Sequence, residues 1–440
     1  MAARNGKDAC AIACVSLFGT GAAFLLTAAT PAQAAGFYLQ QQSVRGWGRA
    51  NSGEAADQGP SSLWWNPASI GGQEETEASF GTTVFLPVGE VGDQGTQIDR
   101  PGVAPVAVGG PGLLHDPIQR GVLPGSAIAL PISDRIALGL VITSPFSFTS
   151  DYDPAGWQRY GAIRSRLTTF DIQTSVAFMA TDWLSLGAGV NVEYADAFLS
   201  NALPNLAPGS ADGRARIKGN GWDLGWSAGV QIRPSKRLTV GLAYKSEVEH
   251  KLDGTVEISG LAGPLAARNV SGPTTARFTT PWQLIGSVRA GVGKRLTLNA
   301  QAVRFGWSEF DQIALAAPLG AINQGYKNSW SVAFGADAAM GERMILRAGI
   351  QFDGTPTQDL TRTPRVPDGD RVDYTVGATL RAGHNLTLDA AAAYTDFESV
   401  PITRDEIFYA GTAAETQILV SGTAAKQHAL VFSLGGRMRF

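Results

Sequence analysis

Cysteine is nearly absent from this chain, and the two that occur, Cys10 and Cys14, both lie close to its start. Beyond them the chain can build neither a disulfide framework nor a thiol site. Charge is also scarce, at 17% of residues with a net charge of -3, so there is no electrostatic case for binding nucleic acid. The four histidines are His115, His250, His384 and His428. His384 falls at a short turn and the others in or beside long loop segments. None stands near a nucleophile motif, and no metal-ligand spacing is visible. An enzyme, a metal centre and a bound cofactor are therefore not expected. After the N-terminal thirty or so residues, no segment is apolar for long enough to cross a bilayer as a helix.

The beginning of the chain has a distinct composition. Arg4 and Lys7 form a basic start, Ala9 to Ala29 is apolar and small, and Ala32-Gln33-Ala34 has the small-x-small form of a cleavage site. This is the pattern of a secretory signal peptide, residues 1–34, with a mature chain from Ala35. A retained transmembrane helix fits less well because the run is rich in Ala, Thr and Gly. A lipoprotein starting at Cys14 has too little apolar sequence before it. An exported chain with 53 glycines, little charge and no helical spans has the bulk composition of a transmembrane barrel.

Period-2 alternation supports that class. At the C-terminus Leu430, Phe432, Leu434, Met438 and Phe440 share one face, against Ser433, Gly435, Arg437 and Arg439. Leu184 to Val192 alternates with Ser185, Asn191 and Glu193, and Met344 to Phe352 with Arg343, Arg347 and Gln351. Charges on such faces suit a wet lumen and not lipid. A half-buried strand of a soluble sheet alternates in the same way, so the connections decide. Strands begin near residues 76, 124, 134, 164, 183, 214, 236, 275, 294, 327, 342, 371, 385 and 427, an even number. Short turns alternate with long loops, which places both chain ends on the short-turn side, the periplasmic side of an outer-membrane barrel. The expected fold is an all-β transmembrane antiparallel barrel of fourteen strands over residues 73–440. Residues 35–72 lack the alternation. With Phe37, Trp64 and Trp65 they are either a plug inside the lumen or a disordered tail, and the aromatics favour burial. Arg343 and Arg347 point inward by parity, able to pair with Glu193 or Asp389. Asp368, Asp370 and Arg371 are taken as a solvated loop in preference to a luminal charge cluster. Leu199, Leu203, Leu206, Leu261 and Leu265 form either an extracellular vestibule or loop packing.

Several short motifs occur in order along the chain. They are Ala35-Gly36-Phe37-Tyr38-Leu39, Gly46-x-Gly48-Arg49-Ala50-x-Ser52-Gly53-Glu54, Asn66-Pro67-Ala68, Asp153-Pro154 with Gly156-Trp157-x-Arg159-Tyr160, and Gly187-x-Gly189-x-Asn191-x-x-Tyr194. Leu346-Arg347-x-Gly349 and Pro364-Arg365-x-Pro367-Asp368-x-Asp370-Arg371 follow. Together they resemble the FadL/TodX family of outer-membrane transporters of long-chain fatty acids and other hydrophobic compounds.

The resemblance implies an N-terminal hatch carrying Asn66, Pro67 and Ala68, capture of substrate near the extracellular loops, and sideways exit into the membrane at a kinked third strand. That kink falls at Ser144, Pro145 and Phe146. Pro145 has no N–H for a ladder, and it either opens a gap or ends the strand at the rim. The carboxylate site implied by the family lies near Phe37 and an arginine and a lysine. The lysine matches Lys327 in Gly325-Tyr326-Lys327-Asn328, which is otherwise a rim charge. The arginine maps to about Asn201, an uncharged departure that leaves room for a less acidic ligand. The terminal Phe440 resembles the sorting signal read by the barrel-assembly machinery. The implied protein is a monomer in the bacterial outer membrane, in contact with its lipid, that passes fatty acids by diffusion. Aromatic or alkane hydrocarbons are the alternative cargo, and a general diffusion porin the alternative function.

Overall fold

The computed structural model describes residues 36–316 and 320–440. The expected signal peptide, residues 1–34, lies outside the described residues. Fourteen long strands form one antiparallel wall. They are β1 (Glu77–Asp93), β2 (Gly121–Pro131), β3 (Ile136–Thr143, resuming at Ser147–Asp151), β4 (Arg164–Thr181), β5 (Leu184–Leu203), β6 (Gly213–Ser235) and β7 (Leu238–Lys245, resuming at Val248–Ser259). There follow β8 (Val270–Thr280, resuming at Gln283–Val292), β9 (Leu296–Phe305), β10 (Ser329–Met340), β11 (Met344–Asp353), β12 (Arg371–Arg381), β13 (Leu386–Phe397) and β14 (Gly422–Arg439). Each pairs with its neighbours in sequence. β1 pairs with β14 from Glu77↔Arg439 to Asp93↔Gly422, which closes the barrel.

The alternation in sequence becomes two faces. On β14 Leu430, Phe432, Leu434 and Met438 are exposed, while Ser433 is buried. On β5 Leu186 and Val190 are exposed, while Ser185, Asn191 and Glu193 are buried. Leu224, Val376 and Trp222 also face outward, each more than half exposed at 70%, 59% and 58%. A band of that size would drive association in water and is what a hydrocarbon environment requires. The short connections 132–135, 182–183, 236–237, 293–295, 341–343 and 382–385 gather at one rim, and the long segments at the other.

The wall is incomplete between β2 and β3. β2 and β3 pair from Pro131↔Ala137 up to Ser126↔Ile142. Contact between the two segments next recurs where Gln119 N donates to Thr149 O (3.0 Å) and at the Ile118↔Ser150 bridge. Between these points β3 itself is interrupted at Ser144–Phe146, shifting from Thr143↔Asp171 to Ser147↔Thr168 against β4. Pro145 lies in the interruption and Pro124 on the facing strand, and neither has an N–H to give.

Inside the barrel lie residues 36–72, as a short helix (Val44–Trp47) and three 3₁₀ turns (Glu54–Ala56, Pro60–Ser62, Pro67–Ile70). Phe37, Tyr38, Trp47, Leu63, Trp64, Trp65 and Ile70 are all buried. Wall glycines let the segment approach. A Cβ at Gly187 would overlap the backbone of Pro67 and Ala68, and one at Gly349 would overlap the backbone of Arg49.

Candidate transport site

The luminal segment is fixed by side chains that do two jobs each. Asn66 Oδ1 accepts from Ala68 N (2.9 Å) and caps the turn that Pro67 begins. Its Nδ2 donates to Ala55 O (2.8 Å) within the segment and to Val230 O (3.1 Å) on β6. An asparagine can satisfy donor and acceptor partners at once, which is why one serves here. Arg49 is fully buried. It holds Glu54 in a short ion pair, Asp57 at 2.6 Å and, on the wall, Asp337 at 3.3 Å. Asp337 in turn meets Arg347 (2.7 Å) and Arg289 (3.2 Å), and Arg347 continues to Asp389 (4.0 Å) and Asp389 to Arg437 (3.0 Å). Burial pushes the Asp57 carboxyl up, but Arg289, Arg45 and Arg49 outweigh it and hold the group well below the ordinary carboxylate range. Arg347 thus pairs with Asp337 and Asp389; Glu193, the other candidate partner, is taken by His250 at 3.1 Å.

Above this network the segment turns apolar. Phe37 packs edge-on to Trp307 (4.9 Å between ring centroids) and Phe310 (5.0 Å), and also meets Phe146 (6.0 Å) in the β3 interruption and Phe148 (5.9 Å) where the strand resumes. Its carbonyl accepts from Ser147 N (3.0 Å), and Leu39 N donates to Pro145 O (2.8 Å). The segment therefore lies against the break and supplies backbone partners there.

Phe37 also borders an apolar cleft of about 680 Å³, together with Phe148, Leu167, Phe278, Phe310 and Val366. Arg166 and Arg365 border it as well. Arg166 is paired with Asp196. Arg365 is buried, donates to Ser165 Oγ (3.1 Å) and Asn201 Oδ1 (3.4 Å), and has no carboxylate within 4.0 Å among the described residues. Burial lowers its guanidinium to about 10. The uncharged Asn201 is thus the acceptor for a cation carried on the neighbouring loop. Lys327 is exposed and does not border the cleft, although Tyr326 beside it is buried against Phe37 and Phe310.

The segment 354–370 corrects the reading of Asp368 and Arg371 as a solvated loop. Residues 362–369 fold inward and are buried. Asp368 Oδ2 accepts from Gly36 N (2.7 Å) and Thr355 Oγ1 (2.6 Å), and Arg371 pairs with Asp353 (2.6 Å). Asp370 alone of the three stays exposed. Burial pushes the Asp368 carboxyl up to about 6. The folded chain then binds this proton more tightly than the unfolded chain, so docking of the loop gains stability as pH falls through about 6 and loses it as pH rises. Protection of the Gly36 amide from hydrogen exchange, corrected for intrinsic rate, is expected to rise about tenfold from pH 7 to pH 5. Asp368→Asn should abolish that dependence; a wild-type protection that is flat with pH would refute it.

With this geometry in view, similarity to known proteins was decisive. Residues 25–440 match the family described as outer membrane protein transport protein (OMPP1/FadL/TodX). The chain belongs to this family. A long-chain fatty acid transport protein of Escherichia coli O6:H1 is 25% identical over 421 residues, covering 86% of this chain and 90% of the relative. A crystal structure of a Pseudomonas aeruginosa FadL homologue superposes with a TM-score of 0.79 at 26% identity, covering 92% of this chain and all of that one. The Ralstonia pickettii toluene transporter TbuX shares the fold, with a TM-score of 0.62 at 18% identity over 90% of this chain and 98% of its own. As a member of the OMPP1/FadL/TodX family the chain is an outer-membrane transporter and not an enzyme.

His250, expected in or beside a loop, lies in the β7 wall, fully buried between Glu193 and Asp223 (3.2 Å) and against the ring of Phe278. Leu203, Leu261 and Leu265 pack together with Ala414, whereas Leu199 borders the cleft. Phe440 is half-exposed on the outer face and its N–H donates to Thr76 O (2.9 Å). Arg289, Asp337 and Asp57 of the ion network were not identified from the sequence. Inward parity on β8 and β10 marks the first two as luminal, but nothing local shows that they meet.

Proposed function

We propose that the protein carries long-chain fatty acids by diffusion from the extracellular side into the apolar cleft and then sideways through the β2–β3 break into the membrane, with residues 36–72 acting as a hatch that closes the axial route. Arg365 is the observation that carries this reading. A buried guanidinium with no carboxylate at ion-pair distance is costly, and an apolar cleft ending in that cation fits an amphiphile with an anionic head. A hydrocarbon would fill the cleft and leave the cation unpaired. The relatives named for long-chain fatty acid transport point the same way. Lys327, exposed near the outer rim, suits first capture of the anion better than the final site. Phe37 stands between cleft and break, touching Phe146 and Phe148, so lateral exit requires its ring to move. An open diffusion porin is the weaker reading, because the lumen holds a packed and ion-paired segment.

The test is uptake of labelled oleate and labelled toluene by cells lacking their own transporter, with wild-type protein and with Arg365→Leu. Oleate uptake should depend on the protein and fall about tenfold in the variant, the order expected for loss of a charge-assisted hydrogen bond in a buried site. Toluene uptake should change little. Toluene uptake without oleate uptake in the wild type would move the protein to the hydrocarbon reading.

A further inference from the structure

A second cavity, of about 460 Å³, lies on the inner side of the break and differs in character from the apolar cleft. Its wall toward the membrane is small or apolar, with Leu123, Gly125, Ala127 and Val141 from the strands that flank the gap. Its floor is polar, with Gln41, Gln42, Ser43 and Arg45 from the luminal segment and the Asp389–Arg437 ion pair (3.0 Å) from β13 and β14. Gln42 is spent on the break itself, its Nε2 donating to Leu39 O (2.5 Å) and Ser144 O (3.4 Å). Gln41 is 95% buried, by a residual exposure of 5%, yet its Nε2 has no hydrogen-bond partner among the described residues. Arg45 uses Nη2 on Gln58 O (2.9 Å) and Asp57 (3.0 Å), while its Nε is likewise without a partner. Buried donors are nearly always satisfied, and these two unpartnered donors, with the unpartnered acceptor Gln42 Oε1 beside them, leave room for a polar group from outside the chain.

We infer that this cavity is a binding station for the polar head of the departing amphiphile, taking a carboxylate at Gln41 and Arg45 while the tail passes between β2 and β3. The inference rests on the fatty-acid reading and deepens it. A lateral route into lipid suits the tail, but a carboxylate stripped of partners in the gap is strongly penalised. Donors immediately inside the gap hold the head until the tail is in hydrocarbon, so the tail leaves first and the head follows at the level of the wall. The cleft and this cavity then act in series: Arg365 receives the head from outside, and Gln41 with Arg45 receives it before release. Phe37, Tyr38 and Phe146 lie between them, with Tyr38 packed at a tilt against Phe146, 5.3 Å between ring centroids.

The variants that test this are Gln41→Leu, which removes the donor, and Gln41→Glu, which keeps the size and replaces the donor with a carboxylate. Arg45 is left intact because its pair with Asp57 also holds the segment. Protein in outer-membrane vesicles is assayed for passage of oleate and of dodecylamine, an amphiphile of opposite head charge. Equilibrium oleate binding to the purified protein reports on the cleft. Expected are a loss of about tenfold in oleate passage for Gln41→Leu and a larger loss for Gln41→Glu, dodecylamine passage held or raised in Gln41→Glu, and oleate binding at the cleft within about twofold of wild type. Equal changes for both amphiphiles would show a structural role only, and unchanged oleate passage in Gln41→Glu would show a cavity that holds only water; either overturns the inference. If the wild type passes no oleate, the fatty-acid reading fails and this one with it. A wild type that passes oleate beside an unaffected Gln41→Glu sinks this one alone.

Discussion

Deleting residues 36–66 while keeping residues 1–35 is expected to leave a folded barrel that leaks. The wall does not need the segment. β1 closes onto β14 through its own ladder, and the deleted residues contribute no strand to any barrel pairing apart from the isolated Tyr38↔Phe146 bridge. The ion network also survives on the wall side. Without Arg49, Asp337 keeps Arg347 at 2.7 Å and Arg289 at 3.2 Å, so Asp337 is not left without a partner. What is lost is the filling of the lumen, including Trp47, Trp64 and Trp65. Barrels slightly wider than this one hold aqueous channels when unfilled. Influx of a hydrophilic chromogenic β-lactam should rise by about an order of magnitude, and planar-bilayer conductance should become readily measurable. Normal heat-modifiable protein with unchanged influx would show that residues 36–66 do not close the axial route.

The wall was legible in the sequence because lipid and lumen impose opposite demands on alternate residues. Twelve of the fourteen strand starts fall within four residues of their expected positions, from Glu77 against 76 to Leu386 against 385. β14 begins at Gly422 against 427, where Ala424 packs under the loops with Val91 and Trp157, and β8 at Val270 against 275, where residues 270–273 are mostly exposed; neither stretch carries the alternating apolar face that marks the wall. The interior was harder. Residues 362–369 read as a polar loop because what buries them is distant in sequence: Asp368 is held by Gly36 and Arg365 by Ser165 and Asn201. Pro145 stood out as a ladder breaker, whereas Pro124 acquires meaning only when β2 is seen to face it. Parity assigned Arg347 to the lumen, but its choice of Asp337 over Glu193 depends on the barrel's circumference and not on any local pattern.

Filling the wall glycines should reproduce the leak without removing a residue. A Cβ at Gly187 would overlap the Pro67 and Ala68 backbone, and one at Gly349 the backbone of Arg49. These neighbours are main chain inside a capped turn and beside a buried ion pair, so they cannot rotate away as a flexible side chain would. Gly187→Val and Gly349→Leu therefore force a choice between bending the wall and releasing the segment. The wall is held by continuous backbone ladders on both sides of each strand, whereas the segment joins the wall mainly through separate side-chain contacts such as Asn66 to Val230. Overpacking of this kind costs about 1–3 kcal/mol, which raises the population of the undocked segment by roughly ten- to a hundredfold. Both variants should remain heat-modifiable and admit the β-lactam several-fold faster than wild type. Gly286→Val is the control, because a Cβ there meets nothing within 4 Å. Combining Gly187→Val with the 36–66 deletion should add nothing to the deletion, since its target is already gone. A leak in the single variants that doubles in the combination would place the damage in the wall instead.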